Sequence, residues 1–167
     1  DLYIAQHATT RRWFENNSKI IGTSDLLDIV RGHEVLFISG HTHICNNMDY
    51  EKGIREHNVA SICGSWWDTY YCTDGSPSGY KVYTHKDGRL EWYYKPVGKD
   101  KDYQVEFYMP GQSPLHPNSI VANVWDWDPE WKVEWYEDGK PMGTLEPEID
   151  LSPLYIREIQ AAFGEKR

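Results

Sequence analysis

The chain has 167 residues, enough for one ordinary domain or two small ones with a buried core, and its eight Trp and twelve Tyr suit strands and broad packed surfaces. A formal charge of −9 with no Lys/Arg cluster excludes nucleic acid and anionic membrane as partners, since both require a basic face. An acidic protein that handles phosphate needs a local positive centre, which a bound metal supplies.

The opening DLYIAQH reads as a strand over residues 2–5 that ends at Gln6 and His7. A start inside a strand, with no signal peptide, is expected of the later part of a longer protein. Residues 8–18 are polar, with loop or a short helix expected. GTSDLLDIVRG carries helix signals: Ser24 as cap, Asp25 in the first turn, Leu26, Leu27, Ile29 and Val30 as an apolar face, and Gly32 as terminator. VLFIS is a continuous apolar run, the pattern of a strand buried on both faces. Both strands lead into histidine, His7 after the first and His41 and His43 after the second. In open α/β sheets, ligand sites collect at the carboxyl ends of strands.

From residue 59 the pattern turns to β. VASICGSWW is expected to be a strand and YYCTDGSPSGY a turn-rich connection. YKVYTHKDGRLEWYY alternates about Asp87-Gly88, a hairpin signal. The charged VGKDKD marks a boundary between a first unit, residues 1–99, and a second, residues 100–167. In the second, YQVEFYMP, SIVANVWDWD and WKVEWYEDGK are expected strands. Val121, Asn123, Trp125 and Trp127 would share one face, and Trp131, Val133 and Trp135 another. Asp138-Gly139 supplies a tight turn, and PLYIREIQAAF returns to helix. The expected class is α+β and β-rich, with the second unit a small antiparallel β-sandwich. Cys45, Cys63 and Cys72 form no C-x-x-C pair, so no disulfide framework is expected and the compartment stays open. No run of about 18 apolar residues occurs, so no membrane span is expected.

Two imidazoles one residue apart in a loop can aim at one small volume, and imidazole binds zinc, manganese, iron and nickel. An HxHxDH zinc site would require Asp and His where Cys45 and Asn46 stand. A cupin-type site would require a glutamate where Asn47 and Met48 stand. What remains is a buried strand followed by G-H-x-H, here VLFISGHTH, preceded by a helix and by a strand ending in His7. This arrangement resembles the last motif of calcineurin-like metallophosphoesterases. GSWWDTYYCTDGSPSGY and NVWDWDPEWKVEWYEDGK are similar to the C-terminal region of bacterial members that carry an added β-domain, so the resemblance covers most of the chain.

The resemblance implies the C-terminal half of that family's α/β sandwich, followed by the accessory β-sandwich. It implies His7 and His41 as ligands of one metal and His43 as a ligand of the other, in a dinuclear site of Mn, Fe or Zn. There a bridging hydroxide would hydrolyse a phosphate ester. It also implies a bacterial envelope, periplasmic or secreted location, on which no residue bears directly. The family's earlier motifs, D-x-H, G-D and G-N-H followed by Asp or Glu, have no counterpart in this sequence. Asp49, Asp68 and Asp74 come too late, and Asn46 and Asn47 follow the histidines.

The expectation is therefore a fragment whose two-metal site is incomplete and which is inactive by itself. Self-association through an exposed sheet edge is expected as well. The competing expectation is a non-catalytic β-rich module that binds carbohydrate or a cell-surface partner, with structural histidines. In it Trp125, Trp127, Trp131 and Trp135 would stack on sugar; otherwise they pack between sheets. Trp66 and Trp67 are expected beside a substrate pocket, one of them in the core. Cys45 and Cys63 read as small buried hydrophobes near the site. His33, His57, His85 and His116 read as ordinary, and residues 74–79 as a turn cluster.

Overall fold

The computed structural model describes residues 1–10, 22–65 and 67–163. Strand β1 (Leu2–Ala8), helix α1 (Thr23–Val30) and strands β2 (Val35–Gly40), β3 (Asn46–Glu51) and β4 (Ile54–Asn58) come first. They build a four-stranded sheet in the order β1-β2-β4-β3, in which β1, β2 and β4 are parallel and β3 runs antiparallel to β4. Residues in register across neighbouring strands share a face, so the pairing sorts the side chains into two layers. Ile4, Phe37, Glu56 and Met48 share one face, and Val35 and Ile54 join them. There Leu27 and Val30 of α1 pack with Val35, Phe37 and Ile54 in a core cluster. The other face carries Tyr3, Leu36, Arg55, His57 and Asn47, and it meets a β-hairpin.

That hairpin is β5 (Gly79–Lys86) with β6 (Arg89–Pro96), turned at Asp87 (φ 51°) and Gly88 (φ 75°). Two successive positive φ angles match the right-handed twist of the flanking strands. Strands β7 (Val105–Tyr108) and β8 (Val121–Val124) pair antiparallel, as do β9 (Val133–Glu137) and β10 (Lys140–Leu145), turned at Asp138 and Gly139. Helix α2 (Pro153–Phe163) follows. The β-rich α+β class read from the sequence is the class observed. A second core cluster joins Ala60, Cys72, Tyr94 and Trp125, with Cys45 and Tyr103 packed against it, and it spans the boundary expected near residue 99. All three cysteines are free. No helix among the described residues is long and apolar enough to cross a membrane.

Several local expectations are corrected. Strand β1 runs on through His7 to Ala8, with its register against β2 shifting between Ala5 and Ala8. Helix α1 is preceded by Gly22 at φ 85° rather than capped by Ser24, and Ile29 is 76% exposed, so the apolar stripe is narrower than four residues. The described residues of VASICGSWW form no strand: the sheet partner is the preceding Ile54–Asn58, and residues 62–65 form turns. Strand β8 ends at Val124. Trp125 is 2% exposed in the core whereas Trp131 is 43% exposed, so the four tryptophans do not form two facing rows. Residues 11–18 of the polar segment and Trp66 lie outside the described residues.

Candidate metal centre

The three histidines stand where β1 and β2 end. Gly40 pairs with Ala8, and the His7 and His41 rings meet edge to face with centroids 4.6 Å apart. Past Gly40 the backbone turns at His41 (φ 73°) and His43 (φ 57°), both left-handed. The Thr42 N–H donates to Gly40 O at 2.9 Å, closing a three-residue turn centred on His41 in its rarer, strained form. Left-handed backbone at a side chain with a Cβ costs about 1–2 kcal/mol and persists where the surroundings over-determine it, as at functional sites.

The surroundings here are specific. Asn58, 1% exposed at the end of β4, donates through Nδ2 to Thr42 Oγ1 and to Ile44 O at 2.8 Å. Past the loop, the Cys45 N–H donates to Asp74 Oδ2 at 2.7 Å, which gives the turn cluster a bracing task. Burial pushes the Asp74 carboxyl above its usual range, while hydrogen bonds from Ser76 and Cys45 oppose the shift. Beneath the loop, fully buried Glu56 accepts the Thr10 N–H on both oxygens at 3.0 Å and the Ser39 and Tyr50 hydroxyls. The chain leaving β1 is thus tied to β2 and β4 just below the histidines. Neither Glu56 nor Asn58 belongs to a short motif that would mark it in the sequence.

His43 is held separately, with Nδ1 2.8 Å from Gly64 O. A carbonyl can only accept, so Nδ1 carries a proton, and in the neutral ring this leaves on Nε2 the lone pair that a metal ligand requires. Cys63 Sγ lies 3.8 Å from the same Nδ1, and the residue is half-buried rather than the small buried hydrophobe expected. Trp67, 83% exposed at φ 69°, follows the same turn and donates its N–H to Cys63 O at 2.9 Å.

Gly64 admits no side chain. A Cβ there would stand 2.2 Å from Thr69 O and 2.9 Å from Tyr71 O, at φ 59°. Gly64→Ala is expected to lower stability by about 1–3 kcal/mol and to shift the His43 ring resonances, because the carbonyl that holds Nδ1 moves with it. Thermal melts and imidazole NMR check both parts.

Imidazole nitrogens suit Mn, Fe or Zn, and the His43 tautomer and the His7–His41 contact fit a metal wall. They do not make a closed centre. Among the described residues, the His/Cys/Asp/Glu group whose ligand atoms lie within 4.8 Å of one another is His116, Glu148 and Asp150. There His116 Nε2 stands 2.9 Å from Asp150 and 3.8 Å from Glu148 at the surface, contacts of small energetic weight. Among the described residues, His7, His41 and His43 are not part of such a group.

Other residues read as ordinary prove more particular. His57 is 1% exposed, with Nδ1 3.2 Å from the Tyr83 hydroxyl and its ring 4.6 Å from that of Trp92. It lines a cavity of about 560 Å³ at the amino ends of β1, β2 and β4, away from the histidine loop.

A family model described as the C terminal of calcineurin-like phosphoesterase matches residues 56–166, about two thirds of the chain. His7, His41 and His43 precede the matched stretch. No curated protein and no solved structure matches the chain.

Proposed function

The chain belongs to the family of calcineurin-like phosphoesterase C-terminal regions, and from that premise we propose that it forms part of a dinuclear-metal phosphoesterase in which His7 and His41 hold one divalent ion and His43 the other. Support comes chiefly from the edge-to-face meeting of His7 and His41 at the carboxyl ends of two adjacent parallel strands. When bound, the ions (Mn, Fe or Zn) would polarise the phosphoryl oxygens of the ester and furnish a nucleophile at neutral pH.

The chain's own residues orient and hold. Gly64 O fixes the His43 tautomer, Asn58 and Asp74 hold the loop that carries His41 and His43, and Glu56 ties the exit of β1 to β2. Residues 1–99 finish the catalytic part, and residues 100–167 form an accessory β unit joined to it through the shared core. Further ligands, a carboxylate among them, would complete such a centre.

The test is hydrolysis of an aryl phosphate ester by a polypeptide that joins this chain to a segment carrying the family's D-x-H, G-D and G-N-H motifs. His41→Ala and His43→Ala are each expected to lower kcat/KM by more than about 100-fold. The 167-residue chain alone is expected to show no turnover. Unchanged activity in either variant overturns the assignment.

A further inference from the structure

We propose that the side chains of Lys81 and Asn47 become joined by an amide bond, with ammonia released and Asp126 relaying the protons. This inference uses residues other than the metal ligands and stands independently of the phosphoesterase reading. The three side chains come from β5, β3 and the turn after β8, and they meet in a dry place. Lys81 and Asp126 are each 1% exposed, and Asn47 is 4% exposed. Lys81 Nζ donates to Asn47 Oδ1 at 2.7 Å, so the carboxamide carbon, one carbonyl bond further on, lies within about 4 Å of the amine. Asp126 Oδ1 stands 2.5 Å from the same nitrogen. A nucleophile, an acyl carbon and a proton acceptor are thus held in contact by the fold itself. No ligand has to enter, because every reacting atom belongs to the chain.

The surroundings favour the reaction. Burial pushes the Lys81 ammonium down and the Asp126 carboxyl up. Proton transfer between them, which yields a neutral amine and a neutral acid, is therefore easier than in water. The Asn47 amide is also turned the right way. Its Nδ2 donates to the backbone carbonyls of Asp126 at 3.0 Å and Trp127 at 3.3 Å, which leaves Oδ1 toward Nζ. An ionised carboxylate resists attack by an amine, so Asn47 rather than Asp126 is the acyl partner.

No added reagent is needed. Asp126 takes one proton from the ammonium, and the free amine attacks Asn47 Cγ. Asp126 passes that proton to the leaving nitrogen and takes another from Nζ as the bond from Cγ to Nδ2 breaks. Ammonia departs, Lys81 and Asn47 share a secondary amide, and Asp126 is left as the neutral acid. The freshly folded chain holds the ion pair, and the bond accumulates from it. It ties β3 to β5 and closes a loop that contains Asn58, Gly64 and Asp74, the residues that brace the histidines.

The experiment follows the intact mass of the 167-residue chain during incubation, together with a tryptic map. A species lighter by one ammonia is expected to replace the one of sequence mass. The map is expected to show the peptide carrying Asn47 joined to a peptide in which Lys81 is uncut. Lys81→Met and Asn47→Ala are each expected to keep their own sequence mass. Asp126→Asn retains both partners and a residue tolerant of φ 58°, and is expected to slow the bond by more than about 100-fold. His41→Ala is expected to form it at the parent rate, which separates the bond from the metal centre. The parent mass decides even where a variant fails to fold. A parent chain that keeps its sequence mass, loses water instead, or loses ammonia without a joined peptide would overturn the proposal, as would bond formation at the parent rate in Asp126→Asn.

Discussion

Replacing Lys81 by alanine is expected to cost about 3–5 kcal/mol of folding stability, the penalty for stranding one member of a buried ion pair. The Lys81 and Asp126 side chains are each 1% exposed, with Nζ 2.5 Å from Oδ1. Nζ also donates to Asn47 Oδ1 at 2.7 Å, and Asn47 Nδ2 donates to Asp126 O at 3.0 Å. Three separate segments therefore meet here: β3, β5 and the turn after β8. The short contact puts Nζ within hydrogen-bond reach of Oδ1, so charge and a charge-assisted hydrogen bond act together across the pair. Burial pushes the Lys81 ammonium down and the Asp126 carboxyl up, each partly restored by the other's charge. Removing the lysine leaves a carboxylate with no compensating charge in a dry place. Lys81→Met combined with Asp126→Asn removes both charges, keeps a residue tolerant of φ 58° at position 126, and is expected to recover most of the loss. Urea unfolding measures both variants. A loss below about 1 kcal/mol in Lys81→Ala would mean that solvent reaches the pair.

Acid is expected to weaken the fold from just below neutral pH. His57 is held near pKa 2, first by burial and then by the charges of Lys81 and Arg55, against 6.5 as its ordinary value. Between those two values the unfolded chain binds a proton that the folded chain refuses. Stability from this group is therefore complete above pH 6.5 and is lost steadily as pH falls toward 2. From pH 7 to pH 5 the loss is about 2 kcal/mol. His57→Phe keeps a ring against Tyr83 and Trp92 and removes the titration, so the difference in slope between parent and variant isolates the residue. Parallel pH profiles for the two would show that His57 takes up its proton in the folded state.

What the sequence disclosed followed the range of the signals. Asp87-Gly88 and Asp138-Gly139 need only their own backbone to turn, and both hairpins form as read. Gly32 ends α1 at φ 89° for the same local reason, and the continuous apolar run 35–39 lies in a strand flanked on both sides. Strands β3 and β4 escaped because NNMDYE and IREHN are polar. Their buried members Asn47, Glu56, His57 and Asn58 are stabilised by partners distant in sequence or space, and hydrophobic alternation does not detect them. VASICGSWW had the composition of a strand, but its backbone is claimed by turns at residues 62–65.

The histidine loop was visible as a motif and its neighbourhood was not. His7 meets His41 through a register set by the whole sheet, and Asn58, Glu56 and Gly64 reach the site from later in the chain. The opposite fate of Trp125 and Trp131 likewise depends on where β8 stops, which no residue type in SIVANVWDWD announces.

The central claim is that His7, His41 and His43 form one wall of a two-metal centre, and metal stoichiometry tests it most directly. A polypeptide that joins this chain to a segment carrying the D-x-H, G-D and G-N-H motifs, purified from medium supplemented with Mn, Fe and Zn, is expected to carry two divalent ions per chain. His7→Ala, His41→Ala and His43→Ala should each lower that number, and the triple variant should hold no tightly bound ion. Two ions retained per chain in the triple variant would contradict the claim.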